Sequence, residues 1–165
     1  LVSGNYDTII AGMSITAERD EVIDFTQDYF PPSPSVYMGL SGSDVDLEGG
    51  VIAAQTATIQ AGYVAESGAT LVEFATAEET ISAVQNGEAD AVLADGDYLA
   101  SIIAESGGEF ANVGEVSIGG GVGMGIRESD GDLKATMDKA ISSMKEDGSL
   151  NALIKKWFGN DANTF

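Results

Sequence analysis

GVIAAQTATIQAGYVAESGATLVEFATAEETISAVQNGEADAVLADGDYLASII, residues 50–103, decides the fold. Three apolar runs of strand length, Gly50–Ala54, Thr70–Phe74 and Ala89–Asp95, alternate with helix-length stretches beginning near Thr58, near Ala77 and after Asp95. Strands separated by helices are joined by crossovers, which deliver each strand parallel to the last, so the pattern predicts a parallel sheet covered by helices. The boundaries carry their own chemistry. Thr76 and Glu79 have the spacing of a capping box, and Asn86-Gly87 closes the helix they start.

Outward from this core the signals are shorter. Tyr6–Gly12 (YDTIIAG) reads as a short buried strand, and Thr16 as the N-cap of a helix from Ala17, with Glu18 in the first turn. Pro31, Pro32 and Pro34 stop any helix and introduce an extended piece, Ser35–Leu40. The glycine run Ile118–Ile126 (IGGGVGMGI) offers no GxGxxG register and no following Gly-Lys-Ser/Thr, so it reads as a bend and a closely approached strand. Leu133, Met137, Ile141 and Met144 form one helical stripe, and Leu150, Leu153, Ile154 and Trp157 a second. Lys155 and Lys156 complement the dipole of the last helix, which Gly159 can end.

Charge excludes several functions. The chain has 165 residues, 27 acids against 7 bases and a formal charge of -20. Nothing here neutralises a row of phosphates, so nucleic acid is not an expected partner. There is no histidine and no cysteine, which removes Ser-His-Asp triads, Cys nucleophiles, disulfides and the commonest metal ligands. Asp95-Gly96-Asp97 and Asp130-Gly131-Asp132 do not continue into the spaced oxygens of a calcium loop and read as turn and cap residues. No metal or cofactor is expected. No apolar run approaches a membrane span, and Leu1 opens neither a signal peptide nor a complete reading frame, as expected of a mature or incomplete product.

Against that acidity Arg19 stands out, the sole cation of the first 126 residues, which carry 20 carboxylates. Two readings are open. It can pair on the surface with Glu18 or Asp20, or its planar guanidinium can grip a ligand carboxylate with two parallel hydrogen bonds. Ser14 and Thr16 lie just beyond the first predicted strand, Gln55–Thr58 beyond the next, and Asp95 at the end of a third. Ligands of open α/β sheets collect outside the carboxyl ends of strands. One cation, several hydroxyls and one carboxylate suit a zwitterion.

The string DTIIAGMSITAERDEVIDFT, residues 7–26, resembles the signature of the type II periplasmic binding proteins for polar amino acids and opines, the family-three solute receptors of ABC importers. AAQTATIQAGY resembles that family's Gln-x-Gly-Thr turn, with Ala57 where Gly or Ser is usual, and ADAVLAD its strand ending in a ligand-binding Asp. GGVGMGIRESDGDL and GSLNALIKKWFG resemble its closing strand and last helices. The resemblance implies an α/β, two-lobed fold with mixed, mainly parallel sheets and helices on both faces. Lobe one would comprise residues 1–33 and 121–165 and lack its N-terminal part. Lobe two would comprise 35–118, with hinge strands near 34–38 and 120–125. By the same resemblance Arg19, aided by Ser14 and Thr58, clamps the α-carboxylate of an amino acid, while Asp95 and the Gly12 carbonyl receive its α-ammonium. The implied protein is a monomeric, non-enzymatic periplasmic receptor that passes a free amino acid to a membrane-embedded ABC permease. The acidic second lobe favours lysine, arginine or an opine. A carboxylate-dependent dehydratase on the same fold, or a sensory ligand-binding domain, is the alternative.

Overall fold

A computed structural model describes residues 1–160 and 162–165. It forms two compact units, Leu1–Pro32 with Gly119–Phe165, and Ser33–Ile118. In chain order the elements are β1 (Thr8–Ile9), α1 (Ala17–Asp20), β2 (Asp24–Phe25), β3 (Ser35–Leu40), β4 (Val51–Gln55), α2 (Ile59–Glu66) and β5 (Thr70–Phe74). They continue with α3 (Ala77–Gln85), β6 (Ala91–Asp95), α4 (Gly96–Glu105), β7 (Phe110–Val116), β8 (Gly125–Ile126), α5 (Gly131–Glu146) and α6 (Ser149–Phe158).

The unit Ser33–Ile118 is one sheet, ordered β5-β4-β6-β3-β7. β4 pairs in parallel with β5 and with β6, as the crossovers require. β3 is antiparallel to both β6 and β7, so four strands share one direction and β3 alone opposes them. The reason is connectivity: no helix crossover leads into β3, whereas α4 carries the chain from β6 to β7 and restores the common direction. Alternation along each strand divides the core between two faces. Val36 and Met38 of β3 pack with Ala53, Val92, Ala83 of α3 and Leu99 of α4. Tyr37, Ile52, Leu93 and Val64 of α2 fill the other face. Thr76 caps α3 with the full reciprocal box to Glu79.

The other unit is slighter in its sheet. β8 lies between β1 and β2, antiparallel to both, and each strand has two residues. The glycine run is a close approach, as expected. A Cβ at Gly121 would lie 2.7 Å from Asp28 Cβ, and one at Gly123 would lie 3.1 Å from the Thr26 carbonyl. Val122 between them bridges both Ser14 and Phe30. Phe30, Ile141, Leu150 and Ile154 make the local core. Gln27 ties the first segment to α5: its backbone N–H donates to Asp138 Oδ1, and its amide donates to the Asp138 carbonyl and Ser142 Oγ, all at 2.7 Å.

Two expectations need correction, and one strand lies outside them all. Tyr6–Gly12 is not a buried strand; only Thr8–Ile9 pairs, and Ile10 is 58% exposed, because the partner β8 is itself two residues long. Leu153 and Trp157 do not complete a core stripe: Trp157 is 72% exposed, since α6 buries Leu150 and Ile154 in the apolar cluster and lays Phe158 against Phe30, which turns Trp157 outward. β7 was not anticipated. Its FANVGEV sequence has no clean alternation, and its pairing with β3 shifts register between Tyr37 and Met38.

Candidate functional site

In the first unit, three of the expected site residues, Gly12, Ser14 and Arg19, lie on the short segment that leads into α1 and on α1 itself. Gly12 has φ +65°, the left-handed region that glycine enters without a Cβ penalty. The backbone after it is pinned to the glycine run: Ile15 N–H donates to the Gly121 carbonyl at 2.9 Å, and Gly123 N–H donates to the Met13 carbonyl at 3.2 Å. Thr16 then caps α1, its Oγ1 accepting from the Arg19 amide at 3.2 Å. Arg19 is half-buried and turns back, Nη1 donating to the Ser14 carbonyl at 2.9 Å. A four-residue helix with no buried side chain thus gains a fixed guanidinium from its cap and from one backbone acceptor. Tyr29 lies beside this segment, where burial raises its pKa and a hydrogen bond from the Gly12 backbone opposes the rise. The other arginine has a different environment: Arg127 pairs with Asp7 at 2.8 Å and Asp130 at 2.7 Å.

In the second unit, Thr58 and Asp95 stand at the carboxyl ends of the parallel neighbours β4 and β6. Thr58 is the N-cap of α2, its Oγ1 accepting from Ala61 N–H at 3.2 Å and donating to the Gln55 carbonyl at 2.7 Å. The hydroxyl proton is thereby committed to the turn, so Thr58 acts first as a shaper of the β4–α2 corner. Ala57, one residue earlier, sits at φ 61°. That left-handed backbone costs an ordinary L-residue roughly 1–2 kcal/mol, which is the physical sense of a glycine preference at this place in the motif.

Asp95 occupies the N-cap position of α4 but makes no side-chain cap. Its Oδ1 instead accepts from Gln60 Nε2 at 2.7 Å. Crowding by surrounding protein strips hydration from the carboxylate and raises its pKa; the Gln60 hydrogen bond lowers it, and the neighbouring Asp97 charge raises it. The residue nevertheless keeps an exposed edge, so the carboxylate is desolvated in part and still reachable. Gln60 and Ser35 were missed by sequence reasoning. Both are buried polar residues, and only the polarity of Gln60 in the first turn of α2 could have hinted at it. Among the described residues no cluster of acids could hold a metal ion, and no helix is long and apolar enough to cross a membrane.

A family model described as bacterial extracellular solute-binding proteins, family 3, matches residues 1–160. A probable histidine-binding protein of Campylobacter jejuni is 30% identical over 169 residues, covering 95% of this chain and 64% of its own length. The lysine/arginine/ornithine-binding periplasmic protein of Escherichia coli is 28% identical over 169 residues, covering 92% of this chain and 64% of its own. This chain therefore spans just under two thirds of these relatives. A crystal structure of a periplasmic His/Glu/Gln/Arg/opine family-binding protein from Silicibacter pomeroyi, in complex with lysine, superposes with TM-score 0.95 at 71% identity, covering 99% of this chain and 75% of that one. The fold is that of the type II periplasmic binding proteins.

Proposed function

This chain belongs to the bacterial extracellular solute-binding proteins, family 3, and we propose that it binds a free amino acid of the lysine or arginine type, or an opine, in the periplasm for delivery to an ABC importer. Arg19 takes the α-carboxylate through parallel N–H donors, the chemistry a guanidinium supplies and an ammonium does not. Ser14 adds a hydroxyl to that anion. Asp95 accepts the α-ammonium, with the Gly12 carbonyl as a further acceptor, and Thr58 holds the corner from which α2 starts.

One observation carries the reading: charge is divided by unit. The half-buried Arg19 guanidinium is fixed against Ser14 in one unit. Asp95 stands at a strand end in the other, which has fourteen acids and no Lys or Arg. A zwitterion carries a counterpart for each kind of group, and the surplus of negative charge suits a cationic side chain better than a second carboxylate. The relatives named for histidine and for lysine, arginine and ornithine, and the neighbour holding lysine, support the same class.

Calorimetric titration of the protein with the twenty amino acids and with opines tests it. Heat of binding from lysine or arginine is expected. No heat from any of them overturns the reading, and tight glutamate binding overturns the ligand class alone.

A further inference from the structure

Gln60 stands outside the five residues assigned above, and its surroundings give it work in the same site. It is 4% exposed, and a buried amide costs free energy unless its N–H groups find acceptors. Nε2 donates to Ser35 Oγ at 3.0 Å and to Asp95 Oδ1 at 2.7 Å. Ser35 is 2% exposed and lies directly opposite Asp95 in the β3–β6 register. The backbone next to the carboxylate is fixed as well: Gly96 N–H donates to the Pro34 carbonyl at 3.0 Å, and a Cβ on Gly96 would come within 2.6 Å of that oxygen.

We propose that Gln60, anchored by Ser35, is the positioning residue for Asp95, holding Oδ1 so that the carboxylate meets the ligand ammonium in one orientation and with its full negative charge. The proposal rests on the reading of Asp95 given above. The chemistry of position 60 follows. A lysine or arginine there would ion-pair with Asp95 and quench the charge the ligand needs. A glutamate would share a proton with it. A glutamine supplies a donor without altering the net charge. Of the groups that face the carboxylate, Ser35 of β3 is neutral, and among the described residues Asp97 of α4 is the charge that bears on it.

The test is calorimetric titration of L-lysine at pH values between about 4 and 8, spanning the carboxylate range, on the unaltered protein and on Asp95→Asn, Gln60→Leu and Gln60→Glu. In parallel the Asp95 carboxyl is titrated by carbon NMR without ligand. Gln60→Leu is expected to weaken lysine binding about tenfold to a hundredfold at neutral pH, the range of one hydrogen bond to a charged group. It also moves to higher pH both the Asp95 midpoint and the point where affinity falls away. Gln60→Glu moves them further in the same direction. A purely structural role would leave the Asp95 midpoint in place. Asp95→Asn losing lysine while both Gln60 variants bind as the unaltered protein does, with unmoved midpoints, overturns the positioning role and leaves the functional reading standing. Asp95→Asn binding lysine undiminished overturns that reading, and this inference with it. If Gln60→Leu does not fold, Gln60→Met keeps the length of the side chain without its donor or any charge, and its Asp95 midpoint decides.

Discussion

The unit Ser33–Ile118 is one unbroken stretch with five strands, two apolar clusters and no cation; its counterpart joins two distant stretches, pairs strands of two residues each and holds all seven cations. Their polar site groups are held accordingly. Asp95 and Thr58 stand at the ends of strands whose interiors are close-packed, so their positions follow from side-chain volume in the core. Arg19 stands on a helix with no buried residue, and hydrogen bonds do what packing does elsewhere: the Thr16 cap, the ladder from Met13 and Ile15 to the glycine run, and the Ser14 carbonyl. One region sets the backbone under its groups by volume and leaves the aim of the Asp95 side chain to Gln60; the other sets both by directed polar contacts. Changes should therefore be felt in different measurements.

The largest effect is expected at the guanidinium. Arg19→Ala should cost about 3–5 kcal/mol of lysine affinity, because a desolvated ligand carboxylate loses its partner. Unfolding by urea should barely change, since α1 buries nothing. An unfolding midpoint that falls while affinity survives would reverse the comparison. Next comes the packed region. Met38 is fully buried, and Met38→Ala should destabilise by about 2–5 kcal/mol in urea titration. Trp157→Ala, on the exposed side of α6, should stay within about 0.5 kcal/mol. Equal costs for the two would show that α6 relies on contacts the first unit does not display.

Two smaller effects sharpen the contrast inside the packed unit. Ala57→Gly relieves a left-handed backbone worth roughly 1–2 kcal/mol and returns about half of it as extra freedom of the unfolded chain, so a net gain near 0.5–1 kcal/mol is expected by urea denaturation. The smallest concerns Asp95. Its folded pKa is raised, so its favourable contribution is fully present below the unfolded pKa and is lost as pH rises through the folded value. At neutral pH the ionised group is therefore a liability to the ligand-free protein. Asp95→Asn should raise the thermal midpoint slightly there, with the gain vanishing as pH falls below about 4, while abolishing lysine binding. A lowered midpoint at neutral pH would mean that the carboxylate stabilises the unit it serves.

Much of this could be read locally. The caps at Thr16, Thr58 and Thr76 depend on residues three positions apart, and the strand–helix alternation of residues 50–103 on apolar runs that need no distant information. The glycine run was legible because it lacks a phosphate-loop register and so demanded a packing reason, which Asp28, Phe30 and Ile15 supply. Gln60 was not legible. An amide in a helix is ordinary until a serine 25 residues back and an aspartate 35 residues on are seen to receive its two donors.

Residue order by itself thus determined where helices start, that the strands within residues 50–95 run parallel and which polar groups arrive at their ends, because all of these follow from backbone geometry over a few residues. Tertiary structure alone decided that β3 inserts against the common direction, that Ile10 and Trp157 stay in water, and that Asp95 is held by a buried amide. The reason is that burial and hydrogen-bond partnership are properties of what lies across a sheet or a core, and no local spacing encodes them.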